Sequence, residues 1–437
     1  MNAISETSVD GPALRTVTLG CKVNQYETEY VRQGLEAIGY RTANDGESAD
    51  LCIVNTCTVT HEGDAKSRQT IRQLAKRNPG TRIVVMGCYA TRAPDEVAQL
   101  PGVAEVITDK RELPDLLGRF GVVDIPRGIS RFAGRQRAYV KVQDGCLLRC
   151  SFCIIPQVRP TMVSRPLEEI VAEVRRLVDN NYREIILTGI HLGHYGVDFN
   201  RGRNKTDWTR LSHLVEKLVA IPGQFRIRLS SIEATEVTRE LIGVMAAHPT
   251  RVCPHLHVCL QSGSDRILRR MRRRWCSRRI VDRCQMIQER LDLPALTTDV
   301  IVGFPGETDA DFRDTLDVCE TISFSKVHVF PYSRRKGTIA AESAEQVYDR
   351  VRIKRCAELD RLQVDWRRRY FEQLVGRELQ VILEPSHSEP PGMKLGTSCR
   401  YAPVELPATA GSYGEMVSCI VKGVNGQWLA GEIAWNR

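Results

Sequence analysis

The chain has 437 residues, of which 42% are hydrophobic and 26% charged. That length exceeds what one core organises and that composition argues against disorder, collagen and coiled coil, so two or three packed domains are expected. Lysine and arginine number 62 against 53 acids, a balance of +9 that is compatible with a polyanionic partner without establishing one. No apolar run reaches the ~18 residues of a membrane span, and the polar stretch up to Ala13 lacks a signal-peptide block, so no membrane association and a cytoplasmic location are expected.

From Arg15 to about Asp124 the segments TVTLG, LCIVN and RIVVMG read as buried parallel strands, with helices over Glu27–Ile38 and Ala65–Arg77 between them. Asn24 followed by Glu27 has the form of a capping box, which places a helix start just after the first strand. The region is a βαβ series, a Rossmann-like parallel-sheet domain over residues 13–125. A Gly/Pro/Arg stretch, Pro126–Gly134, reads as a linker. Six further strand-like runs follow: RAYVKV, EIILTG, FRIRLSS, LHVCLQ, TTDVIVG and KVHVF. Each is separated by room for a helix, which predicts a partial β/α barrel over 132–365, closed by a long basic helix from Asp349 to Gln373. After Val375, ELQVILE, GTSCRYAPVEL, EMVSCIVKGV and WLAGEI predict a small C-terminal β-barrel over 372–437.

Fifteen cysteines in a reducing compartment are not a disulfide framework, so clusters among them point to metal ligation. Cys146, Cys150 and Cys153 form CxxxCxxC directly after the strand AYVKV. Three thiolates satisfy three irons of a four-iron cube and leave one open, and that iron can chelate the methionine end of S-adenosylmethionine. Zinc is the competing reading, but zinc ribbons pair two CxxC knuckles and no second knuckle follows. Cys21, Cys57 and Cys88 each end a predicted strand of the first domain. The intervals of 36 and 31 residues match one β-α-β crossover each, returning all three thiols to one carboxyl sheet edge, where a second cluster would sit. The alternative is that each is an ordinary buried strand cysteine, as Cys52 is expected to be.

The blocks LGCKVNQYET, VNTCTVT, MGCYA, DGCLLRCSFCIIP, TGIHLGHYG, LSSIEATEV, HLHVCLQSGSD, TTDVIVGFPGET and HVFPYSRRKGT resemble the methylthiotransferase family of radical enzymes along nearly the whole chain. The tail from Val375 is similar to that family's RNA-binding TRAM module. CKVNQYET is most similar to the branch that adds methylthio to C2 of threonylcarbamoyladenosine at position 37 of transfer RNA. The resemblance implies two [4Fe-4S] clusters, Cys146, Cys150 and Cys153 binding the one that works with S-adenosyl-L-methionine and Cys21, Cys57 and Cys88 the one that holds the donated sulfur. It implies two cofactor molecules per product, one methylating the sulfur and one supplying the adenosyl radical for an inert C2–H bond that no side-chain base could deprotonate. It further implies tRNA as partner, a reductant protein such as flavodoxin or ferredoxin, and a sulfur donor. Cofactor contacts are expected from Phe152 beside the adenine, or as loop packing, and from His191 where related enzymes carry a glutamate, or as a structural histidine. Ser231, Glu233, Gln261 and Asp299 are expected at the catalytic rim, or as plain strand-end polar residues.

Eight arginines between Arg266 and Arg279, with no acid among them, and Arg352, Lys354, Arg355 and Arg367–Arg369 are candidate phosphate contacts or a solvated helix face. The tail carries four bases against six acids between Arg377 and Glu432, so it would read unpaired bases through Tyr401, Tyr413 and Trp428 unless those rings are core. Pro160 stands where the family has glycine after Arg159, which restricts the loop and bears on substrate access. Rival readings are a relative acting on isopentenyladenosine or on a ribosomal protein aspartate, sulfur insertion without methylation, and a noncatalytic iron–sulfur RNA-binding protein.

Overall fold

A computed structural model describes residues 11–434. The polar N-terminus read for a targeting signal lies almost wholly outside them, as do the last three residues of the expected barrel. Backbone contacts divide the chain into two units. One comprises residues up to Ile129 with Cys153–Thr161 and Ser333–Gly337, and the other comprises Ser130–Phe152, Met162–Tyr332 and Thr338 onward.

In the first unit, β1 (Ala13–Thr18), β2 (Arg41–Thr42), β3 (Leu51–Thr56), β4 (Arg82–Gly87) and β5 (Val103–Val106) form a parallel sheet in the order β2-β1-β3-β4-β5. Every residue of β3 is buried, as a central parallel strand covered on both faces must be. Helices α1 (Lys22–Glu36) and α2 (His61–Arg77) complete the crossovers. The expected capping box is corrected here. Helix α1 begins at Cys21, which gives no side-chain cap, and Asn24 lies inside it. The buried Asn24 amide donates to Leu19 O and Thr56 O, each at 3.0 Å, so it ties α1 to the strand ends instead of capping.

The second unit holds two four-stranded sheets. In one the order is β7-β6-β8-β9, from β6 (Arg137–Asp144), β7 (Val163–Ser164), β8 (Glu184–Gly189) and β9 (Arg226–Leu229). In the other, β10 (Ser231–Glu233), β11 (His255–Cys259), β12 (Ala295–Val302) and β13 (Lys326–Pro331) run parallel in chain order. The six expected runs are thus all strands, with FRIRLSS broken at Ser230 into β9 and β10. No ladder joins β13 to β6 among the described residues, which leaves the β/α series open. The helix over Asp349–Gln373 has the expected limits.

The tail closes into a five-stranded barrel, β14 (Glu378–Leu383), β15 (Met393–Ser398), β16 (Pro403–Pro407), β17 (Met416–Asn425) and β18 (Trp428–Ile433), in the order β14-β15-β16-β18-β17. GTSCRYAPVEL is two strands and not one, because the chain turns at Tyr401, whose φ is +61°. The barrel is held by buried charge. Arg226 donates to Gln380 O and Thr397 O, Arg228 donates to Ser398 O and Cys399 O, and Glu184 of β8 accepts from both guanidiniums. Burial works against the Glu184 charge, yet Arg228 and Arg226 outweigh it and hold the carboxyl well below its usual range. Glu184→Gln leaves two buried guanidiniums uncompensated, and urea unfolding should show a loss of about 3–5 kcal/mol. The depressed pKa fixes the sign of the pH dependence. The wild-type contribution is complete above the unfolded-state value near ~4.3 and is lost as pH falls toward the folded one, whereas the glutamine variant lacks this acid dependence.

No helix of the described residues is long and apolar enough to cross a membrane.

Candidate functional site

The parallel register of the first unit places Thr18 beside Asn55 and Thr56 beside Gly87, so Cys21, Cys57 and Cys88 leave the same sheet edge within three residues of their strands. Cys21 stands at the N-terminus of α1, and Cys88 opens a short helix over Cys88–Arg92. The Cys57 thiol is pushed up to about 11, first by burial, with its neighbours Cys88 and Cys21 adding to the shift. Two glycines make room for them. A Cβ on Gly20, at φ +106°, would lie 3.1 Å from Cys57 Sγ. A Cβ on Gly87, at φ +97°, would lie 2.3 Å from Asn55 Oδ1 and 2.4 Å from Thr56 O. Gly87→Ala is therefore expected to cost more than about 2 kcal/mol, read as a fall in the thermal unfolding midpoint, since strain and collision add.

Arg159 is the cation of this unit's thiol edge. Its guanidinium is 2% exposed and lies over Glu27 in a two-bonded fork, with Nη1 to Oε1 and Nη2 to Oε2 both 2.8 Å. Nε lies 3.5 Å from Cys88 Sγ, and Nη2 donates to Asn24 Oδ1 at 3.2 Å. The Cys21 thiol in turn donates to Asn24 Oδ1 at 3.4 Å. Three converging sulfurs beside a fixed positive charge and a helix N-terminus suit a thiolate-ligated cluster, whose ligands are anionic.

In the second unit, β6 delivers Cys146 and Cys150 past its carboxyl end; Cys153, three residues on in the sequence, is counted with the first unit. Cys146 Sγ accepts from Leu148 N at 3.4 Å and lies 3.6 Å from His191 Nδ1. His191 is neither solvent-facing nor isolated: it is 5% exposed, its ring stacks on His194 at 3.6 Å, and its Nε2 is 3.2 Å from Glu236 Oε2. Burial disfavours its charge, but the Cys146 thiol and the Glu236 carboxylate raise it to about 9. Cys150 Sγ accepts from Arg273 Nη1 at 3.3 Å, and Arg273 pairs with Glu233 while its guanidinium lies 4.1 Å from the Trp275 ring centre. Sulfurs presented to hydrogen-bond donors at a strand end suit cluster ligands, as in the first unit.

The other expected contacts separate. Phe152 is partly buried, packs with Ile267, Met271 and Tyr332, and meets Phe304 edge-on. Ser231 is exposed at the start of β10. Gln261 sits just past β11 in a left-handed conformation, φ +67°, with its backbone bridged to β12. Strained backbone of this kind concentrates where a side chain or carbonyl must be aimed at a ligand. The arginine run is divided: Arg266 pairs with Asp311, Arg270 with Glu345 and Arg273 with Glu233, whereas Arg269, Arg272, Arg274, Arg278 and Arg279 are exposed. Arg355 is buried against Glu307 and so is no phosphate contact. In the barrel, Tyr401 lies under Arg137 and Arg228, and Tyr413 donates to Glu389. Sequence reading missed Arg159, Glu236 and Gln143, whose Oε1 accepts from His191 N at 2.8 Å. Their partners lie from 42 to more than 130 residues away, so no local spacing marks them.

Residues 140–319 match the Radical SAM superfamily, and residues 14–109 match a family described as Uncharacterized protein family UPF0004. The fold is like that of the radical S-adenosylmethionine methyltransferase TsrM from Kitasatospora setae, with TM-score 0.54 at 14% identity over 76% of this chain and 75% of that one. Thiol loop, open β/α series and matched core define a radical SAM enzyme, which brings with it a [4Fe-4S] cluster and S-adenosylmethionine. The threonylcarbamoyladenosine tRNA methylthiotransferase MtaB of Bacillus subtilis (strain 168) is 38% identical over 420 residues, covering 92% of this chain and 91% of the relative. The Thermotoga maritima protein of that name is 38% identical over 85% and 86%. A tRNA-2-methylthio-N(6)-dimethylallyladenosine synthase of Corynebacterium diphtheriae is 36% identical over 86% and 76%. The chain belongs to the radical SAM methylthiotransferase family and is of the MtaB type.

Proposed function

We propose that this enzyme adds a methylthio group to C2 of N6-threonylcarbamoyladenosine at position 37 of transfer RNA. The observation that carries the reading is the second thiol set: Cys21, Cys57 and Cys88 on one sheet edge beside Arg159, in a chain whose radical core already has its own thiols. A radical enzyme that only abstracted hydrogen would not need it. Cys146, Cys150 and Cys153 would hold the cluster that binds S-adenosylmethionine, with Phe152, His191, Ser231 and Gln261 as cofactor contacts. Cys21, Cys57 and Cys88 would hold a second [4Fe-4S] cluster. Together the bound groups supply one-electron cleavage of a sulfonium and a sulfur to transfer.

The chain's own residues then have defined tasks. Arg273 and His191 set the orientation of the Cys150 and Cys146 sulfurs, and Glu236 fixes both His191 and His194. Arg159 balances the negative charge of the first thiol set. The exposed arginines Arg269, Arg272, Arg274, Arg278 and Arg279 offer phosphate contacts, and the C-terminal barrel a second RNA surface. We assign residues 13–125, 132–365 and 372–437 to three functional domains, a cytoplasmic location, and dependence on a flavodoxin- or ferredoxin-like reductant and a sulfur donor. Mass spectrometry of transfer RNA nucleosides with and without the gene should show loss of one species, methylthiolated threonylcarbamoyladenosine. Loss of the methylthiolated isopentenyl nucleoside instead would transfer the chain to the other tRNA branch, and loss of neither would remove transfer RNA as substrate.

A further inference from the structure

Below the rim of the β10–β13 sheet lies a set of titratable side chains that the reading above does not use. Successive residues of these strands alternate between faces. Leu256, Val258, Val300, Val302 and Val327 fill the buried face, and His257, Asp299 and His328 stand on the other. The register pairs Asp299 with His328 and His257 with Thr297, two residues before Asp299, so three adjacent strands bring these side chains together. His257 Nε2 lies 3.3 Å from Asp299 Oδ2, the two imidazoles are 5.7 Å apart centre to centre, and one nitrogen or oxygen atom from each of the three groups lies within 4.8 Å of the others.

The set is oriented and reachable. Thr297 Oγ1 is 3.1 Å from His257 Nδ1, which turns Nε2 toward Asp299, yet Nε2 completes no hydrogen bond. The Asp299 side chain is 29% exposed, and Phe330, two residues beyond His328 on the same face, is 48% exposed. The same face leads to the thiol loop. Cys259 follows His257 along β11 and senses the charges of both Asp299 and Glu233, and Glu233 holds the Arg273 that donates to Cys150 Sγ. A ligand on His257, Asp299 and His328 therefore shares a floor with the radical-generating loop.

We infer that His257, Asp299 and His328 are the specificity platform for the substituent on N6 of the target adenine, built for one that carries carboxylate, hydroxyl and amide groups. The inference rests on the substrate reading above and deepens it. Imidazole N–H groups donate to carboxylate and carbonyl oxygens, and Asp299 accepts from a hydroxyl or amide N–H. An alkenyl substituent offers none of these, and docking it would cover this polar face without supplying the hydrogen bond that His257 Nε2 lacks. A site of this kind rejects the apolar analogue far more strongly than an apolar pocket rejects a polar one.

The test uses the full-length reconstituted enzyme with anticodon stem-loop RNAs that carry threonylcarbamoyl- or isopentenyladenosine at the target position. His328→Leu and Asp299→Asn should each lower kcat/KM for the threonylcarbamoyl RNA by ~10-fold or more, mostly through KM, and narrow the preference over the isopentenyl RNA. Iron content and unfolding midpoint serve as the controls for folding. Equal losses on both RNAs, or none on either, overturn the platform while the substrate reading stands. So does one equivalent of zinc in the wild type that disappears in His328→Leu, because two histidines and a carboxylate at this spacing would then be a metal site. A wild-type preference for the isopentenyl RNA overturns the substrate reading, and the platform with it.

Discussion

Cys57→Ala should halve the iron of anaerobically reconstituted protein, from about eight to about four per chain, and abolish methylthiolation while reductive cleavage of S-adenosylmethionine continues. Cys150→Ala should halve the iron as well, but it should abolish cleavage and transfer together. The two variants differ because the thiols belong to separate sets. Cys57 follows β3 of the first unit and has Cys21 and Cys88 as charged neighbours, whereas Cys150 follows β6 of the second and accepts a hydrogen bond from Arg273. Neither substitution removes a buried large side chain, so both proteins should fold. A full iron complement in Cys57→Ala would mean that this sheet edge holds no cluster, and the sulfur to be transferred would have to come from elsewhere.

Much of this arrangement was legible in the sequence, and the pattern of what was legible is physical. The strands LCIVN and RIVVMG are continuous apolar runs because both faces of a central parallel strand are covered, and β3 and β4 are buried accordingly. Cysteine spacing exposes the thiol edge because one crossover has a nearly fixed length. What the sequence hides is pairing at a distance. Asn24 and Glu27 have the spacing of a helix cap, yet Asn24 bonds two strand-end carbonyls and Glu27 takes the Arg159 guanidinium from 132 residues away. The arginine run has the composition of one phosphate-binding face, but Arg266, Arg270 and Arg273 are each claimed by a distant acid. Likewise His257, Asp299 and His328 are scattered in sequence and meet only through strand register.

The Arg159–Glu27 pair yields the second large effect. Both side chains are essentially inaccessible, so Arg159→Leu takes the two-bonded guanidinium away from a buried carboxylate, and equilibrium unfolding should report a loss of about 3–5 kcal/mol. Arg159→Lys keeps one positive charge but cannot reproduce the two parallel bonds to Glu27 while reaching Asn24 and Cys88, so it should fall between wild type and leucine. The cycle decides what the pair is for. If its main contribution were stability, the double variant Glu27→Leu/Arg159→Leu should recover most of the lost free energy, because apolar side chains often replace a buried ion pair at little net cost. Its sulfur chemistry should not recover with it. Cys88 would have lost the guanidinium 3.5 Å from its sulfur. A refolded double variant that still lacks methylthio transfer would separate the two roles, whereas full activity would show that Arg159 serves the fold alone.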